Sequence, residues 1–438
     1  MKRLIEEKLI NWKVSNNRKP LIINGANQIG KTYSLIQFGK THYSDLAYFN
    51  FESNVKLQNI FEGDFNTERI ILELSAYIGK RLLKDNMLII FDEIQACPKA
   101  ITSLKYFNEN DNEYHIACAG SLLGVVVSKT ANSNFSFPVG KIESINMFPM
   151  NFKEFLLAMR EEPLIDLIAQ CYNSFTQISE INHNKALKLY KDFLIVGGMP
   201  EAVMQYIETN NMDFAKIVQN QIFSDYANDF IKYSTKSESV RHGALYNSIP
   251  SQLSSGKNRF YYSAILEGAR SRDFYLSIDW LIRAGLVTQI FSLKSKEKIR
   301  LPLESFVEND HFKLFMSDIG LMTNKLAISQ SMLLNDKTLD SITKGALAEQ
   351  YLANELINNG HKLYYWQTES NSEVDFILQL DDTFIPIECK SADNTQSKSL
   401  KLFVDKYNPK YSIRVSSKNF GFNNNIKSVP LYAAWCIK

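Results

Sequence analysis

Short apolar runs separated by helix-length polar segments dominate the first third of the chain. Residues 20–24 (Pro-Leu-Ile-Ile-Asn), 46–51, 87–91 and 114–119 each read as a strand with little alternation of apolar and polar positions. Strands covered on both faces of a parallel sheet have this look, so the pattern predicts an α/β domain over residues 1–150. From about 150 to 235 the rhythm turns helical, with a break at Gly197-Gly-Met-Pro200. Residues 239–322 form a compact helical unit followed by two strand-like runs, Leu286-Val-Thr-Gln-Ile-Phe and Lys313-Leu-Phe-Met. The Ser/Asp/Lys stretch 328–342 reads as a linker, and the last hundred residues return to mixed α/β.

A chain of 438 residues exceeds one ordinary core and predicts two to four domains. With 45% hydrophobic and 22% charged residues it has the balance of a folded protein, and a formal charge of +2 neither demands nor excludes a polyanionic partner. The five cysteines, at 97, 118, 171, 389 and 436, include no CxxC pair, which argues against a disulfide framework or a cysteine-rich zinc site. The first residues carry acids where a leader would be apolar, and no run approaches the roughly 20 apolar residues that a membrane span needs. A cytoplasmic protein without a membrane partner is expected.

Gly25-Ala-Asn-Gln28-Ile-Gly30-Lys31-Thr32 satisfies the phosphate-loop pattern between a strand and a helix. Gly25, Gln28 and Gly30 belong to the wrapping backbone. Lys31 is expected to charge-pair the outer phosphates of ATP and Thr32 to ligate Mg²⁺. A plain glycine turn would explain the glycines but not Lys31-Thr32. The strand at 87–91 ends in Asp92-Glu93, at the carboxyl end where α/β ligand sites lie. Asp92 is assigned to Mg²⁺ and Glu93 to activation of the attacking water, the alternative being a solvated acidic turn. Ser121, after the strand at 114–119, is placed to sense the terminal phosphate. No arginine finger is identifiable.

Residues 373–390 read as a hairpin that brings Asp375 across from Glu388, with Glu388 and Lys390 on one strand face. Two carboxylates and a lysine suit metal-assisted phosphodiester hydrolysis: Asp375 and Glu388 to hold the metal, Lys390 to handle the water. Upstream, Glu349 falls in line with Leu352 and Leu356 on a helix's apolar stripe, where an acid needs a partner, whereas Glu355 falls off it and is expected in solvent. A polar hairpin with a Glu–Lys pair is the plainer alternative.

In the order of these motifs the chain resembles a broad prokaryotic family of two-part ATPases. Those proteins join an AAA-type domain to a C-terminal region with winged-helix-like and restriction-endonuclease-like (PD-(D/E)XK) parts. The resemblance also rests on Phe148-Pro-Met-Asn-Phe-Lys-Glu-Phe155, Gly197-Gly-Met-Pro-Glu201, Trp280-Leu-Ile-Arg-Ala-Gly-Leu-Val287 and Lys313-Leu-Phe-Met-Ser-Asp-Ile-Gly-Leu321. Two positions depart from it: Asn27 and Gly140-Lys141 stand where relatives often carry arginine. The resemblance implies an AAA-type parallel sheet over 1–150, a helical lid over 151–238, a winged-helix-like unit over 239–325 and a nuclease-like domain over 326–438. It makes Glu349, Asp375, Glu388 and Lys390 one nuclease-type set, and helix 273–284 with the basic stretch 294–300 a DNA-contacting surface. The expected function is an ATP- and Mg²⁺-dependent, DNA-associated ATPase with a nuclease-like domain, able to form homo-oligomers. Its rivals are a nucleotide-controlled scaffold with an inactive nuclease fold and an ATPase that remodels proteins.

Overall fold

The structure is a computed structural model that describes residues 1–120, 136–335, 338–370, 372–390 and 398–438. Two compact units divide the chain: Lys2–Phe148 with Arg283–Leu286, and Pro149–Ile282 with Val287–Lys438.

The first unit is built on a five-stranded sheet of order β2-β3-β4-β1-β5 in which every pairing is parallel. Its strands are β1 (Leu21–Asn24), β2 (Asp45–Asn50), β3 (Met87–Asp92), β4 (His115–Ala119) and β5 (Glu143–Asn146). All of β3 and β4 is buried, which is why these runs show no alternation. The helices are α1 (Ile5–Val14), α2 (Lys31–His42), α3 (Thr67–Ile78) and α4 (Pro98–Asn110). Against the sheet, Phe51 sits edge-on to Phe61 and Phe91, both at 5.5 Å between ring centres.

The second unit begins with α5 (Phe152–Ala158), α6 (Glu162–Ser174), α7 (Glu180–Val196), α8 (Pro200–Thr209), α9 (Met212–Lys232), α10 (Lys236–Ser254) and α11 (Ser271–Arg283), the last residue of α11 counting with the first unit. Its sheet has eight strands in the order β12-β13-β11-β10-β9-β8-β6-β7. They are β6 (Val287–Leu293), β7 (Val307–Met316), β8 (Leu363–Gln367), β9 (Glu373–Leu380), β10 (Thr383–Cys389), β11 (Ser412–Ser416), β12 (Gly421–Asn423) and β13 (Ile426–Pro430). Around it lie α12 (Ile319–Lys325), α13 (Gln330–Leu334), α14 (Ser341–Asn358) and α15 (Lys398–Tyr407). Trp366 packs edge-on against Phe403 and Tyr407 at 5.3 and 6.0 Å, closing the core under α15.

The strands on either side of residue 326 share one sheet, because β6 pairs in parallel with β8, and apart from 283–286, residues 239–438 fall in the second compact unit. Part of the expected linker is helical, since Ser329 caps α13 and Asp340 caps α14.

Three of the quoted motifs meet inside the second unit. Asn151 and Glu154 form a reciprocal capping box that starts α5. Just before it, the Met150 N–H donates to Gly198 O at 2.7 Å. The Gly198 N–H in turn donates to Asp318 Oδ2 at 2.6 Å, and Asp318 Oδ1 accepts the Leu321 N–H to cap α12. A Cβ on Gly198 would stand 2.0 Å from Met150 O, so no larger residue fits.

Candidate functional site

The phosphate loop leaves β1 through residues that need left-handed backbone. Gly25 has φ +140°, Gln28 +66° and Gly30 +89°. A Cβ on Gly25 would lie 2.2 Å from Met147 O, which accounts for glycine there. Helix α2 starts at Lys31, whose Nζ donates to the loop's own carbonyls at Gly25 (2.9 Å) and Ala26 (2.6 Å). Thr32 Oγ1 donates to Asp92 Oδ1 at 2.8 Å, joining loop and β3. The other oxygen, Asp92 Oδ2, accepts from the Tyr48 hydroxyl at 2.6 Å and from Asn50 Nδ2 at 3.4 Å. Burial and the Asp92 carboxylate push the Tyr48 hydroxyl up to about 12, so it is a donor at neutral pH. Glu93 takes φ +50°, and its Oε2 accepts from Gln95 Nε2. A hydroxyl and a carboxylate side by side beside a glycine loop are the hard oxygen donors that suit Mg²⁺ on a nucleotide. Lys141 pairs with Glu109 at 2.9 Å.

The second constellation lies on the eight-stranded sheet. The β9–β10 register pairs Ile387 with Phe376, and one step further sets Glu388 opposite Asp375 on the same face. Glu373, two residues before Asp375, shares that face. Ligand oxygens of Glu349, Glu373 and Asp375 all lie within 4.8 Å of one another. Lys313, on β7 and 5% exposed, reaches into this group: its Nζ is 2.7 Å from Glu349 Oε1 and also bonds Glu373 Oε1. Lys390 Nζ pairs with Glu388 Oε1 at 2.5 Å. Asp375 Oδ2 accepts the Cys389 N–H at 2.7 Å.

The electrostatics follow from crowding. Burial, then the charges of Glu388, Glu349 and Glu373, raise the Asp375 carboxyl well above its ordinary range. Glu373 is raised too, by burial, with Lys313 opposing. For Lys313 burial favours the neutral amine, but Glu349, Glu373 and Asp375 outweigh it and leave the ammonium raised. Counted fully ionised, the four acids face two ammoniums with a formal excess of two negative charges, the charge of one divalent cation, and the raised Asp375 and Glu373 carboxyls hold protons against that excess.

A groove of about 440 Å³ adjoins this cluster through Gln367, the strand partner of Glu373. Arg259, Tyr261, Lys294, Lys296 and His311 line it, with Arg259 5.1 Å from the centre of the Tyr261 ring. Its lysines are answered, Lys294 by Glu297 and Lys296 by Glu369, and His311 Nδ1 lies 3.0 Å from Glu308. On α11 the exposed positions include Tyr275 and Leu276, at 56% and 59%.

Residues 17–156 match a family described as "AAA domain". That match covers the whole β1–β5 sheet and the phosphate loop. The first unit is an AAA-type P-loop ATPase domain. Residues 187–332 and 344–434 match two further families, each described as a domain of unknown function, DUF8612 and DUF4143. None of the curated proteins matches. Among solved structures, the Walker-type ATPase PABY2304 of Pyrococcus abyssi is 14% identical with a TM-score of 0.43, covering 74% of this chain and 95% of that one. The Aeropyrum pernix ORC2 protein in ADPNP–ADP complexes gives 11% identity and a TM-score of 0.36, over 79% and 94%. The RuvB Holliday junction branch migration motor of Thermotoga maritima gives 13% and 0.29, over 68% and 89%.

Within the AAA-type domain, Gly25, Gln28, Gly30, Lys31, Thr32, Asp92 and Glu93 lie in one loop-and-strand-end site. Ser121 lies outside the described residues. In the second unit Glu349, Asp375, Glu388 and Lys390 do come together. Glu355 corrects the sequence reading: it is 1% exposed, not solvated, because its Oε1 accepts the Phe152 N–H at 2.8 Å at the start of α5. Burial holds its carboxyl up to about 8.

Residues missed from sequence are Tyr48, Asn50, Glu373 and Lys313. Glu373 was legible from the period of two before Asp375. Lys313 left a fainter signal, a lone cation inside the apolar run Phe312–Met316. Among the described residues no helix is long and apolar enough to cross a membrane.

Proposed function

We propose that this chain is an ATP- and Mg²⁺-dependent ATPase that works on DNA and carries a metal-dependent nuclease-like site in its second unit. The AAA-type domain would bind Mg²⁺-ATP through Lys31, Thr32 and Asp92, with Glu93 positioned to activate water once it is released from Gln95. One observation carries the nuclease part: Glu349 from α14 and the hairpin acids Glu373, Asp375 and Glu388 gather in one cluster with Lys313 and Lys390. Their formal excess of two negative charges suits one Mg²⁺ or Mn²⁺, with Asp375 and Glu388 as ligands and Lys390 or Glu349 beside the water. The groove at Arg259 and Tyr261 supports a nucleic-acid strand next to that cluster, with phosphates exchanging for the glutamates that now answer its cations.

A second reading is favoured by Lys313, which already neutralises part of the cluster: a nuclease fold retained as a nucleotide-controlled docking surface. Incubation of plasmid and linear DNA with Mg²⁺ or Mn²⁺, with and without ATP, separates the two. Cleavage lost in Asp375→Ala supports the first. DNA-stimulated ATP turnover without cleavage by wild type supports the second.

A further inference from the structure

Asp92 is held from two sides. Its Oδ1 takes the Thr32 hydroxyl at 2.8 Å, while Oδ2 takes the Tyr48 hydroxyl at 2.6 Å and, more weakly, Asn50 Nδ2 at 3.4 Å. Strand register explains how Tyr48 arrives there. In the parallel β2–β3 pair Asn50 stands opposite Asp92 and Tyr48 opposite Ile90. Tyr48 thus shares the Asp92 face, one diagonal step away, within reach of a long side chain. A carboxylate pinned at one oxygen cannot turn about its own axis, so the other oxygen stays directed at Thr32.

We propose that Tyr48 is a positioning residue for Mg²⁺-nucleotide binding, fixing Asp92 Oδ2 so that Oδ1 is presented beside the Thr32 hydroxyl. This rests on the reading of Thr32 and Asp92 as the Mg²⁺ side of the nucleotide site. Tyr48 acts through Asp92 and touches neither phosphate nor metal. Groups that orient a metal-binding carboxylate commonly govern metal affinity by 10- to 100-fold. Tyr48 is also 38% exposed, so removing its hydroxyl leaves the core untouched.

The test is Tyr48→Phe in the full chain, read by titrating a fluorescent ATP analogue in EDTA and then at rising Mg²⁺. We expect nucleotide affinity in EDTA to stay within about twofold of wild type, and the Mg²⁺ needed for half-maximal tight binding to rise roughly tenfold. Adding Tyr48→Phe to Asp92→Asn should change the Mg²⁺ response no further, because both act through one carboxylate. A Mg²⁺ response unchanged in Tyr48→Phe, with a Mg²⁺-dependent wild type, overturns the role of Tyr48 alone. Additive loss in the double variant also overturns it. A wild type whose nucleotide affinity ignores Mg²⁺ overturns the reading of Thr32 and Asp92, and Tyr48 with it.

Discussion

The Lys313 ammonium lies 2.7 Å from Glu349 Oε1, on a strand and a helix that the sequence gives no reason to bring together. The same ammonium meets Glu373, and both carboxylates are at most one-sixth exposed. Removing one partner of a buried ion pair typically costs about 3–5 kcal/mol, because the charges left behind stay desolvated. Lys313→Met is therefore expected to melt well below wild type. Mn²⁺ or Mg²⁺ should recover part of that loss, since a cation would then answer the three acids. Thermal melts with and without 1 mM of the ion, roughly a hundredfold above a ~10 µM site, should differ by about 2.7 kcal/mol of stabilisation.

At the phosphate loop, Lys31→Ala removes the ammonium expected at the outer phosphates and keeps the backbone wrap. ATP affinity should fall about 100-fold, the worth of roughly 3 kcal/mol of charge-assisted bonding. Glu93→Gln should bind ATP like wild type and turn it over some 10²–10⁴-fold more slowly. Calorimetry and phosphate release measure the two, and equal affinity for wild type and Lys31→Ala would sink the assignment of the loop.

Glu355 gives a pH dependence. Its carboxyl sits at about 8 in the fold against an ordinary 4.5, because burial favours the protonated form. The contribution of this group is therefore complete below pH 4.5, declines as pH rises toward about 8 and is level above that. Glu355→Gln keeps an acceptor for the Phe152 N–H and has no charge to lose. Its stability relative to wild type should improve from pH 5 to pH 8, by on the order of 3 kcal/mol, the linkage worth of that pKa difference over the window. Melting curves of the two proteins over that range suffice.

Gly198→Ala places a methyl 2.0 Å from Met150 O, where the neighbours are backbone and cannot turn aside. A cost of about 3 kcal/mol or more is expected, at the upper end of overpacking. Gly345→Ala, whose added Cβ meets nothing within 4 Å, is the control and should be neutral or slightly stabilising in helix α14. Denaturant midpoints for both variants provide the comparison.

Local signals were legible in the sequence and long-range ones were not. The strands β1 to β4 and the phosphate loop announce themselves within a few residues, because doubly covered strands and positive-φ glycines have local causes. The β9–β10 hairpin was legible for the same reason. Glu355 was misplaced because its partner, the Phe152 N–H, lies 203 residues away, and a helical wheel knows only its own helix. Lys313 and Tyr48 were missed likewise: sheet register delivers Tyr48 to Asp92, and the packing of a helix against the sheet brings Glu349 to Lys313, neither of which spacing reveals. The parallel pairing of β6 with β8 across residue 326 left no local signal, since it joins strands with a long intervening stretch between them.

The Met150–Gly198–Asp318 knot also bears on how the chain is made. Asp318 follows Gly198 by 120 residues, so at about 5–20 residues per second a ribosome spends on the order of ten seconds between them. During that interval α8 to α11, β6 and β7 are made, yet the acceptor for the Gly198 N–H and the strands β8 to β13 are still to come. The first unit, by contrast, has all five of its strands once residue 146 is out. The nascent chain thus holds a finished sheet over about its first third while the helices of the second unit wait for β8 to β13, a stage at which shielding of unfinished chain by chaperones is expected to aid folding.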